Sequence, residues 1–326
     1  MPKNNNLEPC KLPMPLRFCE KPTTEFVNNL DALDVQLLEW PSVDQLVAGI
    51  IPFTNATWND DPIVVRDGMT KYEQLQNVYD AFHFKYLPQS LETVNLTFLL
   101  KGIDMQTVTH ILRNRVGFTF SAECSGDKWW THKRSLVPNA VQQSDEFYER
   151  WKKITEECKQ LYCDMIDSKK VSIMDARHIL PRNMETYYLM HVNFLSLLNF
   201  LKQRVDKQIQ PEEDNLLAYK LLLETIKKVP FAINTVKIHA PAMHYVNQAR
   251  TGKATNLYFP DKDSDIFEWN EKDFIYPCTR DQMNGTNPGA TNHFNEVLAD
   301  IEKQIDKATE DAKALLTEMA GGELKY

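Results

Sequence analysis

Two segments of this 326-residue chain hold the side chains best suited to chemistry. The first contains His110, then Arg113, Asn114 and Arg115, then Glu123, Cys124, Ser125, Gly126 and Asp127. The second runs from Asp175 to Glu212. It places Arg177 ahead of Leu180-Pro181, Asn193 and Asn199 in an apolar run, and then Arg204, Asp206, Gln208 and Gln210. Guanidinium groups bind phosphate through two parallel hydrogen bonds, which Lys cannot copy. Backbone amides around Ser125-Gly126 could hold a further oxygen, and Gly126 permits close approach. Polar groups in an apolar run need partners, from the backbone or from a ligand. Arg113, Arg115, Arg177 and Arg204 could therefore make a local positive pocket for an anion.

Each of these residues also has a structural use. Arg113-x-Arg115 suits a solvated helix end, Asn193 a helix cap, and Arg204 a charge snorkelling from a helix terminus. Asp127 opposes phosphate binding: within about 4–6 Å of a phosphate its carboxylate is repelled by a few kcal/mol at an effective dielectric near 20. It must point away, or recognise a donor such as a sugar hydroxyl or a base amino group. Lys128, or His132-Lys133-Arg134, would then supply the missing positive charge. Cys124 is conceivable as a nucleophile.

The elements that position these groups follow from periodicity and caps. Glu185–Val192 reads as a strand, followed by a buried helix Phe194–Gln203 capped by Asn193. Pro211 opens another helix, to about Lys228. Glu92–Lys101 reads as a strand, and Asp104 caps a helix ending near Arg113–Arg115. Residues 72–86 form an amphipathic helix. Residues 145–167 form a long one with an apolar stripe of Phe147, Trp151, Ile154, Cys158, Leu161 and Met165. Residues 172–180 make a short helix holding Arg177. Residues 1–22 read as an irregular leader and 229–292 as loops and short elements. Residues 293–319 form a charged final helix.

The segment Asp175–Glu212 closely resembles the flavin-dependent thymidylate synthase (ThyX) family. Arg177, Leu180, Pro181, Val192, Asn193, Ser196, Leu197, Asn199, Phe200, Leu201, Arg204, Asp206, Gln210 and Glu212 fall in the family register without a gap. The upstream signature is altered. Asn114 replaces a central His, the spacer to Ser125 is longer, Asp127 replaces an Arg, and His110 stands where the family carries Gln.

The resemblance covers about residues 85–230. It implies an α+β fold, a mixed sheet flanked by helices. Residues 1–230 would be the catalytic core with its leader, and 231–326 an extension packed on the same domain. It also implies a homotetramer with shared active sites, bound FAD, and NADPH and methylenetetrahydrofolate as co-substrates. The reaction would be one-carbon transfer to C5 of a pyrimidine deoxynucleotide monophosphate, dUMP to dTMP. Arg204 would polarise the pyrimidine and Arg177 hold the phosphate. His110, Arg113, Glu123, Ser125, Gly126 and Asp127 would complete the substrate site. Arg113, Asn114, Arg115, Glu123, Asn193, Asn199 and Gln208 would contact the flavin. Because Asn114, Asp127 and Gln208 change polarity, two alternatives stay open. One is 5-hydroxymethylation of dUMP or dCMP, a product suited to a phage that modifies its DNA. The other is a relative that kept the fold and lost the chemistry.

Composition is that of a globular protein, 43% hydrophobic with 10% aromatic residues. The net charge of −8 does not advertise nucleic-acid binding. No apolar run reaches the roughly 18 residues needed to span a bilayer, and the polar start does not read as a signal peptide. Six Cys lack zinc or C-x-x-C spacing, so free thiols in a cytoplasmic setting are expected.

Overall fold

A computed structural model describes residues 24–126, 130–205, 211–237 and 290–325. The leader, Asp127 and Lys128, the segment holding Asp206, Gln208 and Gln210, and most of the loop region read over 229–292 lie outside the described residues.

The core is a four-stranded antiparallel sheet in the order β2-β3-β6-β4, formed by β2 (Asp34–Glu39), β3 (Asn95–Ile103), β4 (Phe118–Ala122) and β6 (Thr186–Asn193). A separate parallel pair joins β1 (Phe26–Asn28) to β5 (Ser135–Val137). Strand alternation decides which face is buried. In β6, Thr186, Tyr188, Met190 and Val192 point inward, while Tyr187, Leu189 and His191 face out. The register matches Leu96, Phe98 and Leu100 of β3 to Val192, Met190 and Tyr188, so one apolar layer runs across the sheet.

Helices cover that layer. The chain-order set is α1 (Asn29–Ala32), α2 (Val43–Asn55), α3 (Pro62–Gly68), α4 (Lys71–Phe82), α5 (Met105–Ile111), α6 (Asn139–Gln142), α7 (Asp145–Asp167), α8 (Ile173–Ala176), α9 (Phe194–Arg204), α10 (Glu212–Lys228) and α11 (Asn292–Ala320). α9 buries Phe194, Leu197, Leu198, Phe200 and Leu201 in one cluster with the sheet, α10 and α11. This is the α+β class expected, but the core sheet is antiparallel rather than mixed, since the parallel pair of β1 and β5 stands apart from it, and the helices lie on one face. Among the described residues, no helix is long and apolar enough to cross a membrane.

Three expectations need correction. Glu92 and Thr93 end a 3₁₀ turn opened by Pro88, so β3 starts only at Asn95. α5 stops at Ile111, leaving Arg113 and Arg115 beyond its end. On α7 the helical stripe is not the buried seam. Phe147, Ile154 and Leu161 remain 56%, 54% and 46% exposed, whereas Thr155, Lys159, Tyr162 and Cys163 are buried. Two contacts set that rotation. Tyr162 and Cys163 pack on Ala176 beneath the Arg177 turn, and the Lys159 ammonium donates to the Lys133 carbonyl at 2.9 Å and to Thr24 Oγ1 at 3.0 Å. Burial pushes the Lys159 amine down to about 8.

Leu197 is fully buried where α9 meets the sheet. Leu197→Ala should cost roughly 2–5 kcal/mol, read as a lower urea midpoint with an unchanged slope.

Candidate active site

The two segments singled out in the sequence meet around α5. Asp104 caps this helix by accepting from Thr107 N at 2.9 Å. The short helix swings His110 toward α10 and leaves Met105 and Thr109 on an open cleft of about 670 Å³. The cleft is also lined by Glu123, Ser125, Arg177 and Arg182.

Arg177 is half-buried, and its Nε donates to the Met174 carbonyl at 3.1 Å. Its Nη1 lies 3.8 Å from Cys124 Sγ, which also accepts from Gly126 N at 3.4 Å. Gly126 has no room for a side chain: a Cβ would lie 2.5 Å from Met174 Sδ and 2.9 Å from Arg177 Nη1. Glycine therefore lets the Ser125-Gly126 turn lie directly against the guanidinium. Glu123 is buried and accepts from Lys133 Nζ at 2.6 Å. Arg134 is held by Glu185 through two hydrogen bonds, at 2.7 and 2.5 Å. Neither Lys133 nor Arg134 is thus the spare cation that its place in the sequence suggests.

Arg204 does not join Arg177 in one pocket. Its Nη1 donates to Asp214 Oδ2 at 3.2 Å, its Nη2 to the His110 carbonyl at 3.4 Å, and its guanidinium stacks over Phe200. Arg113 and Arg115 are exposed and make no ion pair among the described residues, and neither they nor Arg204 are among the residues lining the Arg177 cleft. Asn114 is half-buried, with its amide over the carbonyls of His110 and Ile111. Asn193 caps α9 through Ser196 N at 2.8 Å. Gly117, at φ +73°, lies so close beneath it that a Cβ would fall 2.2 Å from Asn193 Nδ2 and Ser196 Oγ. Asn199 is half-buried on α9.

A polar chain that sequence reasoning missed connects the two regions. Asp214 Oδ2 accepts from Arg204 and, at 2.6 Å, meets His110 Nδ1. His110 Nε2 lies 2.9 Å from Gln106 Nε2, and Gln106 Oε1 accepts from Arg182 Nη1 at 3.2 Å. Asp214 is 2% exposed. It sits in the run Glu212-Glu213-Asp214, which reads as ordinary acidic residues in a first helical turn. The available signal was three consecutive acids shortly after Arg204, just ahead of the apolar positions Leu216, Leu217 and Ala218. Glu212 acts elsewhere, accepting from Thr291 N at 2.7 Å and from Thr291 Oγ1 at 3.1 Å, which anchors the start of α11.

A family model described as thymidylate synthase complementing protein (Thy1) matches residues 53–231, more than half of the chain. The chain belongs to this family. It is similar to the flavin-dependent thymidylate synthase of Pyrococcus furiosus, 27% identical over 189 residues, covering 54% of this chain and 75% of that protein. The corresponding protein of Thermococcus onnurineus is 29% identical over 140 residues, covering 42% of this chain and 56% of its own length. Among solved structures, the UMP/dUMP methylase PolB from Streptomyces cacaoi, bound with 5-Br dUMP, shares the fold at a TM-score of 0.51 and 18% identity. That match covers 66% of this chain and 96% of PolB. The Thy1 match includes α5, the cleft, Arg204 and Asp214, and stops before α11.

Next to Asp214 on α10 stands a second buried acid, Glu213. Burial, with the Asp104 charge nearby, pushes the Glu213 carboxyl from its ordinary 4.5 up to about 8. Its Oε2 accepts from Asn29 Nδ2 at 3.0 Å. The folded chain therefore keeps a proton that the unfolded chain releases above about 4.5. The stability this provides is fully present below that value and is lost as pH rises through about 8. Glu213→Gln removes the dependence. Between pH 5 and pH 8 the variant should gain roughly 1–3 kcal/mol relative to wild type, measured by urea unfolding at both pH values.

Proposed function

We propose that this Thy1-family protein is an enzyme that transfers one carbon to C5 of a pyrimidine deoxynucleotide monophosphate, converting dUMP to dTMP. The observation that carries this reading is the cleft in which the Ser125-Gly126 turn lies on Arg177, with Arg182 of the same cleft linked through Gln106, His110 and Asp214 to Arg204. Supporting it, the relatives in Pyrococcus and Thermococcus are named flavin-dependent thymidylate synthases, and PolB is a UMP/dUMP methylase bound with 5-Br dUMP.

Arg177 would take the phosphate. Its Nε is fixed by a backbone carbonyl, which holds the guanidinium plane for a two-point contact. The Ser125 hydroxyl stands in the same cleft beside it. Arg204 is braced on Asp214 and Phe200, so it would present a fixed positive charge to the pyrimidine. That charge favours electron density on the ring as C5 attacks the incoming carbon, and it is already oriented before the reaction.

FAD fits the remaining donors. Arg113 and Arg115 extend from a short turn with no ion-pair partner among the described residues, which suits a diphosphate. Half-buried Asn193, whose oxygen caps α9, has its amide nitrogen to offer a flavin, and Asn199 lies on the same helix. When bound, the flavin supplies the redox step, with NADPH as reductant and methylenetetrahydrofolate as carbon donor. Assembly as a homotetramer belongs to the same reading. It is supported by the uncovered Phe147, Ile154 and Leu161 stripe. A cytoplasmic setting fits the free Cys124, Cys158 and Cys163.

Product analysis by mass spectrometry, with dUMP, methylenetetrahydrofolate, NADPH and FAD, should yield dTMP. A 5-hydroxymethyl product, or none, overturns the methyl assignment. Arg177→Ala should weaken nucleotide binding by on the order of 2–5 kcal/mol, whereas Arg204→Ala should act mainly on turnover. Cys124→Ala should keep substantial activity, because charge rather than a thiolate adduct activates the ring. A folded, FAD-loaded and nucleotide-binding but inactive Cys124→Ala would instead indicate nucleophilic catalysis.

A further inference from the structure

We propose that Arg182 is the second phosphate-binding arginine of this cleft, supplying beside Arg177 the positive charge that the altered signature lacks where Asp127 stands in place of an Arg. The proposal deepens the nucleotide site argued above and rests on that reading.

The cleft selects this residue. Lys133 and Arg134, which follow the altered signature, are bound to Glu123 and Glu185. Arg182 lies five residues beyond Arg177, across Leu180-Pro181, and lines the same cleft. Among the described residues, Glu123 is the only acid lining that cleft, and Lys133 neutralises it at 2.6 Å. Arg177 and Arg182 therefore leave the cleft with net positive charge.

Arg182 is fixed in place while its charge is unspent. Its backbone carbonyl accepts from Met105 N at 3.0 Å, and its Nη1 donates to Gln106 Oε1 at 3.2 Å. Main chain and side chain are thus both tied to the first turn of α5. Gln106 is neutral, so this contact orients the guanidinium without cancelling its charge. Nε and Nη2 meet no acceptor among the described residues, and Arg182 makes no ion pair there. The helix has no use for the charge, because the amino end of a helix disfavours a cation. The side chain is exposed, so core packing does not demand it either.

Arg177 is in the same condition. Its Nε is held by the Met174 carbonyl, and it has no carboxylate partner among the described residues. Two guanidiniums on one cleft repel each other until an anion joins them. A phosphate monoester carries roughly 1.5–2 negative charges at neutral pH and accepts through three oxygens, which matches two guanidinium forks. The Gln106 contact also continues through His110 and Asp214 to Arg204. The phosphate contact and the base contact are thereby held at a set span along one polar chain.

The affinity of the full chain for dUMP, measured by isothermal titration calorimetry with FAD added, tests this apart from turnover. Arg182→Gln should weaken dUMP binding on the order of 10- to 100-fold and leave FAD affinity within about twofold of wild type. Gln106→Ala frees Arg182 from α5 but keeps its charge, so it should weaken dUMP binding less than Arg182→Gln does. An equal loss in the two variants, or an equal loss of FAD affinity, makes Arg182 a support for α5 and overturns the proposal. A folded Arg182→Gln that binds dUMP within about twofold of wild type also overturns it, and dTMP formation by the wild type then leaves the one-carbon reading standing. A wild-type chain that binds no dUMP overturns both.

Discussion

The Asp214 carboxylate is the constraint on which the site depends. It is buried at the start of α10 and accepts from a guanidinium on α9 and an imidazole on α5. Removing a charge from water is costly unless partners replace the hydration, so three helices must converge for Asp214 to be buried at all. Their convergence is what sets Arg204 and His110 side by side. Asn215 Nδ2, donating to the Arg204 carbonyl at 2.9 Å, fixes the C-terminal end of α9 from the same helix. Geometry at the site and packing of the core are therefore one problem with one solution.

The sheet supplies the other half of the positioning. β6 pairs along its length with β3 and β4, so the exit of β6 into α9 is rigid. The Asn193 cap and the close approach of Gly117 lock that exit from both sides. Asn193 is in this way a structural residue first. Any ligand contact it makes uses an amide whose orientation the cap has already chosen.

Much of this was legible in the sequence where local physics dominates. The β6–Asn193–α9 unit and the limits of α7 and α11 followed from alternation, caps and helical spacing. What was not legible depends on which partner a residue meets. The apolar stripe of α7 satisfies every helical criterion, yet Lys159 and Tyr162 turn the helix the other way because a distant carbonyl and the Arg177 turn claim them. The charges of Lys133 and Arg134 look available in sequence and are consumed by Glu123 and Glu185. Asp214 looks like a solvated first-turn acid and is buried. In each case a contact far away in sequence overrides a local pattern, and no window along the chain contains both partners.

Glu212 gives the C-terminal helix a standing that its position beyond the Thy1 match would not suggest. Its carboxylate grips the first turn of α11, only two residues from Asp214, and α11 then seals α10 with Phe294, Leu298, Ile301 and Leu316. The final helix is thus a wall of the enzyme rather than an appendage to it. A chain trimmed to the family's span would present a bare apolar flank along α10 and a loosened Glu212. Its failure would be one of solubility before it was one of chemistry.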